Sequence, residues 1–323
     1  MRCVFEARRG VMLAIALLVS PCLALAQAYP AKTIRIIVPF PPGGTTDLIA
    51  RIIQPKLTEQ LGQQLLIDNR SGAGGSIGAA EAARAAPDGY TLLMVFDTHA
   101  VNHHLYKSAP DPFKTLDHVS LMVTSPSALV AVTSYPPNNM PEIVAHARAN
   151  PEKVTYSTSG SGSSNHLAAL LFERYAGIRL THIAYKGGGP MIQALLSQEV
   201  NITFLSAPLI MPHIKSGKVK AIAVGGRKRM AQLPDIPTFG ETYPGFEQIS
   251  WFGILGPAGL PREVLARVHS SMVRTLQTPD VSAKLVEQGF EVVAGTPEEF
   301  LRHVRGESDK LGKLIRDNNI KVE

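Results

Sequence analysis

The chain has 323 residues, 45% of them hydrophobic and 18% charged, which is too long for one ordinary core and too apolar for a disordered protein. Its net charge of +6 comes without a Lys/Arg run, a zinc-finger spacing or an RNP-like motif, so nothing in it points to nucleic acid. Both cysteines, Cys3 and Cys22, fall in the first 26 residues, so the rest of the chain has no disulfide to lean on and its core must suffice alone.

The N-terminal stretch reads as a secretory signal peptide spanning 1–26. Arg2, Arg8 and Arg9 form a positive region, "VMLAIALLV" is a short apolar run, and Ala24-Leu25-Ala26 fits a cleavage site that leaves Gln27 first. The apolar run is too short for a comfortable membrane span, and Pro21 before Cys22 suits lipid attachment poorly. The segment also carries Glu6, so its removal lowers the net charge by two.

After the leader, strands and helices alternate. Strand Ile34–Val38, helix Asp47–Leu61, strand Leu65–Asp68, helix Ile77–Ala85 and strand Tyr90–Phe96 make a βαβαβ order, which predicts a parallel sheet with right-handed crossovers. "LMVTSPSALVAVT" reads as strands crossing to a second lobe. There helix Met140–Ala149, strand Val154–Ser157, helix His166–Tyr175, strand Thr181–Ala184, helix Pro190–Leu196, strand Asn201–Leu205, helix Leu209–Ser216 and strand Ala221–Val224 follow. "QISWFGILGP", which holds the single tryptophan Trp251, reads as a strand returning to the first lobe, closed by helices Pro261–Leu276, Val281–Gln288 and Pro297–Asn318. The expected domains are 27–125 and 250–323 in lobe 1 and 126–249 in lobe 2, with a ligand in the cleft between them.

Three strand-to-helix junctions carry the candidate chemistry. In "VPFPPGGTTDLIAR", Gly43 and Gly44 permit close backbone approach, Thr45 and Thr46 add hydroxyls, and Thr46 or Asp47 is placed to cap the following helix. The free N–H groups and dipole of that helix start suit a carboxylate or phosphate. "YSTSGSGSSNH" repeats the device in the second lobe with Ser159, Gly160, Ser163 and His166, and "YKGGGP" offers a third junction with Lys186 as a cation. There is no G-x-x-x-x-G-K-[ST] and no G-x-G-x-x-G in the opening loop, so neither a triphosphate loop nor a dinucleotide fingerprint is supported. "NRSGAGGSIGA" contains a formal G-x-S-x-G at Ser76, but no acid/His pair stands out beside it, and the plainer reading is a turn packing on the first loop. The ten histidines, among them His99, His118 and His182, show no metal spacing, so neither a metal nor a cofactor is expected.

Taken together, "YPAKTIRIIVPFPPGGTTDLIAR", "NRSGAGGSIGA", "PDGYTLL", "SGSGSSNHLAALLF", "YKGGGP", "PHIKSGKVKAIAV", "LPDIPTFGE" and "WFGILGPAGLP" resemble, in the same order, the Bug-type extracytoplasmic substrate-binding proteins of tripartite tricarboxylate transporters. The resemblance covers essentially the whole mature chain. It implies an α/β, two-lobed periplasmic-binding-protein fold of type II, a Venus flytrap that closes on a small carboxylate and delivers it to membrane transporter subunits. It also implies a periplasmic, monomeric, non-enzymatic protein. Carried over position by position, it points to Phe40, Gly43, Gly44, Thr45 and Asp47 in the first lobe and to Ser159, Gly160, Ser163 and His166 in the second. Tyr185, Lys186 and Gly187 lie nearby, and Thr98 and Ser206 sit at the two places where this chain departs from the family. A family aspartate is replaced at Leu205-Ser206, and a Gly- or Ser-rich segment is replaced by Phe96-Asp97-Thr98-His99; both bear on the ligand and not on the fold. Two other readings are an exported serine hydrolase using Ser76, and a partner that presents bound ligand to a membrane sensor.

Overall fold

The computed structural model describes residues 29–185 and 188–322. The expected leader 1–26, and Lys186 and Gly187 of the "YKGGGP" junction, lie outside the described residues.

Strands β1 (Ile34–Val38), β2 (Leu65–Asn69) and β3 (Thr91–Phe96) are parallel, with β1 in the middle. β1 is a near-continuous apolar run because helices cover both sheet faces. Helix α1 (Thr45–Leu61) buries Ile49, Ala50, Ile53, Leu57 and Leu61 on one stripe and ends at Gly62 in the left-handed region. It begins two residues before the expected Asp47. Its N-cap is Gly44, in extended backbone, and neither Thr46 nor Asp47 caps it. Helix α2 (Ser76–Ala83) is the second crossover.

The expected crossing is a single strand, β4 (Leu116–Val132), that belongs to two sheets. From Leu116 to Pro126 it pairs antiparallel with β9 (Ile249–Pro257). From Ser127 onward it pairs with β7 (Ile202–Ser206), and from Ala128 with β8 (Val219–Val224). β9 also pairs antiparallel with β3, so the returning segment lies inside the first sheet. In the second sheet β5 (Thr155–Thr158) runs parallel to β6 (Thr181–Ala184) and to β7. The strand order is β2-β1-β3-β9-β4-β7-β5-β6.

The other helices are α3 (Asn102–Leu105), α4 (Met140–Ala149), α5 (Ser164–Ala176), α6 (Gly188–Leu196), α7 (Ala207–Lys215) and α8 (Phe239–Thr242), then α9 (Arg262–Gln277), α10 (Pro279–Glu287) and α11 (Pro297–Asp317), with a short β10 (Glu291–Val292) on β4. Helices α9 and α10 pack against α1, and α11 lies along β4 and reaches α5. Trp251, fully buried, sits edge-on to Phe300 and His303 of α11, at 5.6 and 5.3 Å between ring centres. Among the described residues no helix is long and apolar enough to cross a membrane, and no group of three His, Cys, Asp or Glu side chains is placed to hold a metal ion.

Candidate functional site

The loop after β1 is held from behind by Asp47. Its carboxylate, 3% exposed, accepts from the Gly43 N–H at 3.0 Å, from Arg51 Nε at 2.8 Å and Nη2 at 3.1 Å, and from Asn69 Nδ2 at 3.1 Å. Asn69 also donates to the Phe40 carbonyl at 3.0 Å, so one Asp–Asn pair fixes both ends of "FPPG". Burial would raise the Asp47 carboxyl, but the Arg51, Gly43 and Asn69 donors outweigh it and hold the group below its ordinary value. Gly43 has φ +82°, a conformation that a side chain resists. Gly78 of α2 lets that helix approach the loop, since a Cβ there would stand 2.9 Å from both the Arg70 carbonyl and the Pro39 ring.

The second-lobe loop is built in the same way. Ser163 caps α5 by accepting from the His166 N–H. The His166 ring turns back and accepts from the Gly162 N–H through Nδ1 at 3.0 Å, while stacking on His182 with centres 4.1 Å apart. Burial, helped by the neighbouring His182, pushes His166 down to about 4, which keeps it the neutral acceptor that Gly162 needs. Asn165 Oδ1 accepts from both the N–H and the hydroxyl of Ser159, and its amide donates to the Phe204 carbonyl. Across the cleft, Ser164 donates to Asp97 Oδ2 at 2.7 Å, joining the second lobe to the turn after β3.

Between these loops lie two adjoining chambers of about 380 and 390 Å³ that share Phe40, Pro41, Phe96 and Ser159. The edge-to-face pair Phe40–Phe96, 5.9 Å between centres, stands where they meet. Gly43, Gly44, Thr45, Ser159 and Ser206 line the first chamber, together with Met191 and Ile192 of α6, Leu205 at the end of β7 and Leu209 of α7. The starts of α1, α6 and α7 therefore open on one space. Thr98, Ser159 and Ser163 line the second, with the glycine-rich turn Ser71–Gly75, Asn102 and Tyr106. Thr98 and Asn102 hold that turn through the Gly74 carbonyl.

Of the expected site residues, Phe40, Gly43, Gly44, Thr45, Thr98, Ser159, Ser163 and Ser206 thus face the chambers. Asp47 does not: a carboxylate pointing into an anion cradle would repel the ligand, and its partners draw it behind the loop. His166 is likewise behind its loop, and Gly160 lines neither chamber. Tyr185 also lies off the lining, its hydroxyl directed at Glu199. Phe96 and Leu205, which the resemblance had marked as departures from the family at the cleft, do line the first chamber, whereas the sequence reading missed Met191, Ile192 and Leu209, whose apolar spacing is the same as that of core residues. It treated Ser71–Gly75 as packing when that turn also lines the cleft; its run of glycines beside the first loop was the available signal.

Ser76, at the first position of α2, is 1% exposed, and its hydroxyl has no hydrogen-bond partner. No histidine or carboxylate is placed on it among the described residues, so the nucleophile–base contact that a serine hydrolase needs is missing from this serine.

The family profile described as "Tripartite tricarboxylate transporter family receptor" matches residues 49–320. BugT of Bordetella pertussis is 31% identical over 318 residues, spanning 97% of each chain. Among solved structures, R. palustris Rpa4515 with adipate superposes with a TM-score of 0.86 at 33% identity, over 91% of this chain and 99% of that one. MatC from Rhodopseudomonas palustris with bound malate does so at 0.83 and 30% identity, over 89% and 100%. The two sheets joined through β4 and β9 are thus the two lobes of a periplasmic binding protein, and the chain belongs to the tripartite tricarboxylate transporter receptor family.

Proposed function

We propose that the protein is a periplasmic receptor that closes its two lobes on a small organic carboxylate and hands it to the membrane subunits of a tripartite transporter. The observation that carries this reading is the convergence of three helix starts, α1, α6 and α7, with Gly and hydroxyl donors on a cavity between lobes. Adipate and malate, held by two relatives of the same fold, are carboxylates of the size these chambers accept. Phe40, Gly43, Gly44, Thr45, Thr98, Ser159, Ser163 and Ser206 are the proposed contacts, and Asp47 and His166 act through the loops they hold. Closure turns on the two places where the chain changes sheets, at Pro126–Ser127 within β4 and between β8 and β9, ahead of Ile249, which are the proposed lobe boundaries. The leader 1–26 exports the chain, and the mature receptor works as a monomer.

The test is a melt of protein refolded from denaturant, with and without a panel of carboxylic acids. A ligand at 100 times its Kd should stabilise by about 2.7 kcal/mol, which is several degrees. Stabilisation by neutral sugars and by no carboxylate would refute the reading.

A further inference from the structure

Asp97 joins the two lobes from a buried position and lines neither chamber. It opens the turn after β3, and it accepts at 2.7 Å from the hydroxyl of Ser164, the first residue of α5 in the other lobe. Beside this contact the second-lobe loop rests directly on the first lobe, since a Cβ at Gly162 would stand 2.4 Å from the Leu105 side chain. The second lobe therefore supplies part of the cover over the carboxyl. The other carboxyl oxygen makes no well-formed hydrogen bond, so the buried group is better satisfied as a neutral acid than as an anion. Burial pushes it from 3.8 up to about 7, against the Ser164 and Ser250 hydroxyls and the Thr98 N–H, and the Glu307 charge on α11 adds to the rise. Around it, β3, β9 and the Ala73–Gly75 turn carry no ionisable side chain. His99 on the same turn, His103 and His104 on α3, His166 on α5 and His303 on α11 are all pushed down by burial, which leaves them uncharged at neutral pH.

We propose that Asp97 is a proton-operated catch between the lobes. As the neutral acid it stays buried beneath Ser164 and holds the cleft shut; as the anion it draws water and favours parted lobes. The proposal rests on the receptor reading, in which the lobes open and close. Parting them withdraws Ser164 with its loop and lets water reach the carboxyl, which then returns towards its ordinary value. The shut form therefore holds a proton that the open form gives up to solvent. By linkage, acid favours closure, and closure near neutral pH takes up a proton at a residue outside the chambers.

The equilibrium can be read in the empty receptor. Both cysteines lie within 1–26, so the mature chain takes spin labels only at two introduced cysteines, Glu59→Cys on α1 and Lys215→Cys on α7, each exposed and one in each lobe. Pulsed electron resonance then measures their separation in refolded, ligand-free protein between pH 8 and pH 5.5. We expect the ratio of shut to open separations to rise at least about tenfold as pH falls across that range. Asp97→Asn and Asp97→Ser should each abolish this response, with circular dichroism confirming that both are folded. Ser164→Ala should move the ratio towards open at pH 5.5. Glu307→Gln should keep the response and lower its midpoint, because the neighbouring charge that raises Asp97 is gone. Charging the buried histidines in acid would part the lobes, which is the opposite change. Separations that ignore pH, or a response that survives in both Asp97 variants, overturn the proposal. A melt in which no carboxylate stabilises the protein refutes the receptor reading and leaves this readout standing, so the two failures are distinguishable.

Discussion

Replacing Asp97 by asparagine should stabilise the protein above neutral pH and not below it. Asp97 is 4% exposed, one oxygen accepts from Ser164 at 2.7 Å, and the other makes no well-formed hydrogen bond. Burial pushes its carboxyl from the ordinary 3.8 up to about 7, and the Ser164 hydroxyl, with weaker help from the Ser250 hydroxyl and the Thr98 N–H, opposes this only in part. In the unfolded chain the group loses its proton near its ordinary value. Between there and about pH 7 the folded protein therefore binds one proton more than the unfolded one, and stability falls as pH rises through that window. Above it the buried charge costs at most about 4 kcal/mol. Asparagine keeps an oxygen for Ser164 and discards the charge, but buries an amide N–H group with no acceptor, which returns roughly half of the gain. The net expectation is about 2 kcal/mol at pH 8, a rise of roughly 4 °C, against no gain or a slight loss at pH 5. Thermal melts of both proteins at the two pH values decide it. If Asp97→Asn loses as much stability at pH 8 as at pH 5, the carboxylate is ionised and well satisfied in the fold, and the reasoning fails.

Asp47→Ala should cost about 2–3 kcal/mol in urea unfolding, more than a lost cap, because it strips an acceptor from Gly43, Asn69 and Arg51 at once. Asp47 titrates below its ordinary value, so its contribution is present at neutral pH and lost as pH falls below 3.8; the gap between wild type and variant should close there. Gly44→Val should leave the fold largely intact, since Gly44 has φ −78° and its Cβ would meet the Pro41 carbonyl at an ordinary 3.5 Å, yet weaken carboxylate binding by about tenfold or more by crowding the cradle. His166 is pushed down to about 4, so the unfolded chain takes up its proton first as pH drops. Its contribution to stability should therefore shrink from about pH 6.5 to about pH 4, a slope that His166→Gln removes from the pH profile of urea midpoints.

The parts that sequence made legible are local. Glycines, hydroxyls and a helix start following a strand lie within a dozen residues of one another, and the chambers are lined by those loops. What stayed hidden depends on distance along the chain. Asp47 turns inward because Asn69 comes back on β2 to meet it. Met191, Ile192 and Leu209 carry the apolar spacing of any buried helix, and only the opposing lobe decides that they face a cavity. The βαβαβ opening was readable from its alternation, whereas the insertion of β9 between β3 and β4 is set by pairing across more than a hundred residues.

That insertion governs how the polypeptide can assemble as it is made. Until residues near 257 have emerged, β3 has a bare edge and the first half of β4 lacks its neighbour, so the first sheet stays open while the whole second lobe is synthesised. An open strand edge is a template for pairing with other chains. The interval between β4 and β9 is therefore when a nascent copy is most prone to aggregate. A fragment ending at residue 125 would keep that exposure permanently.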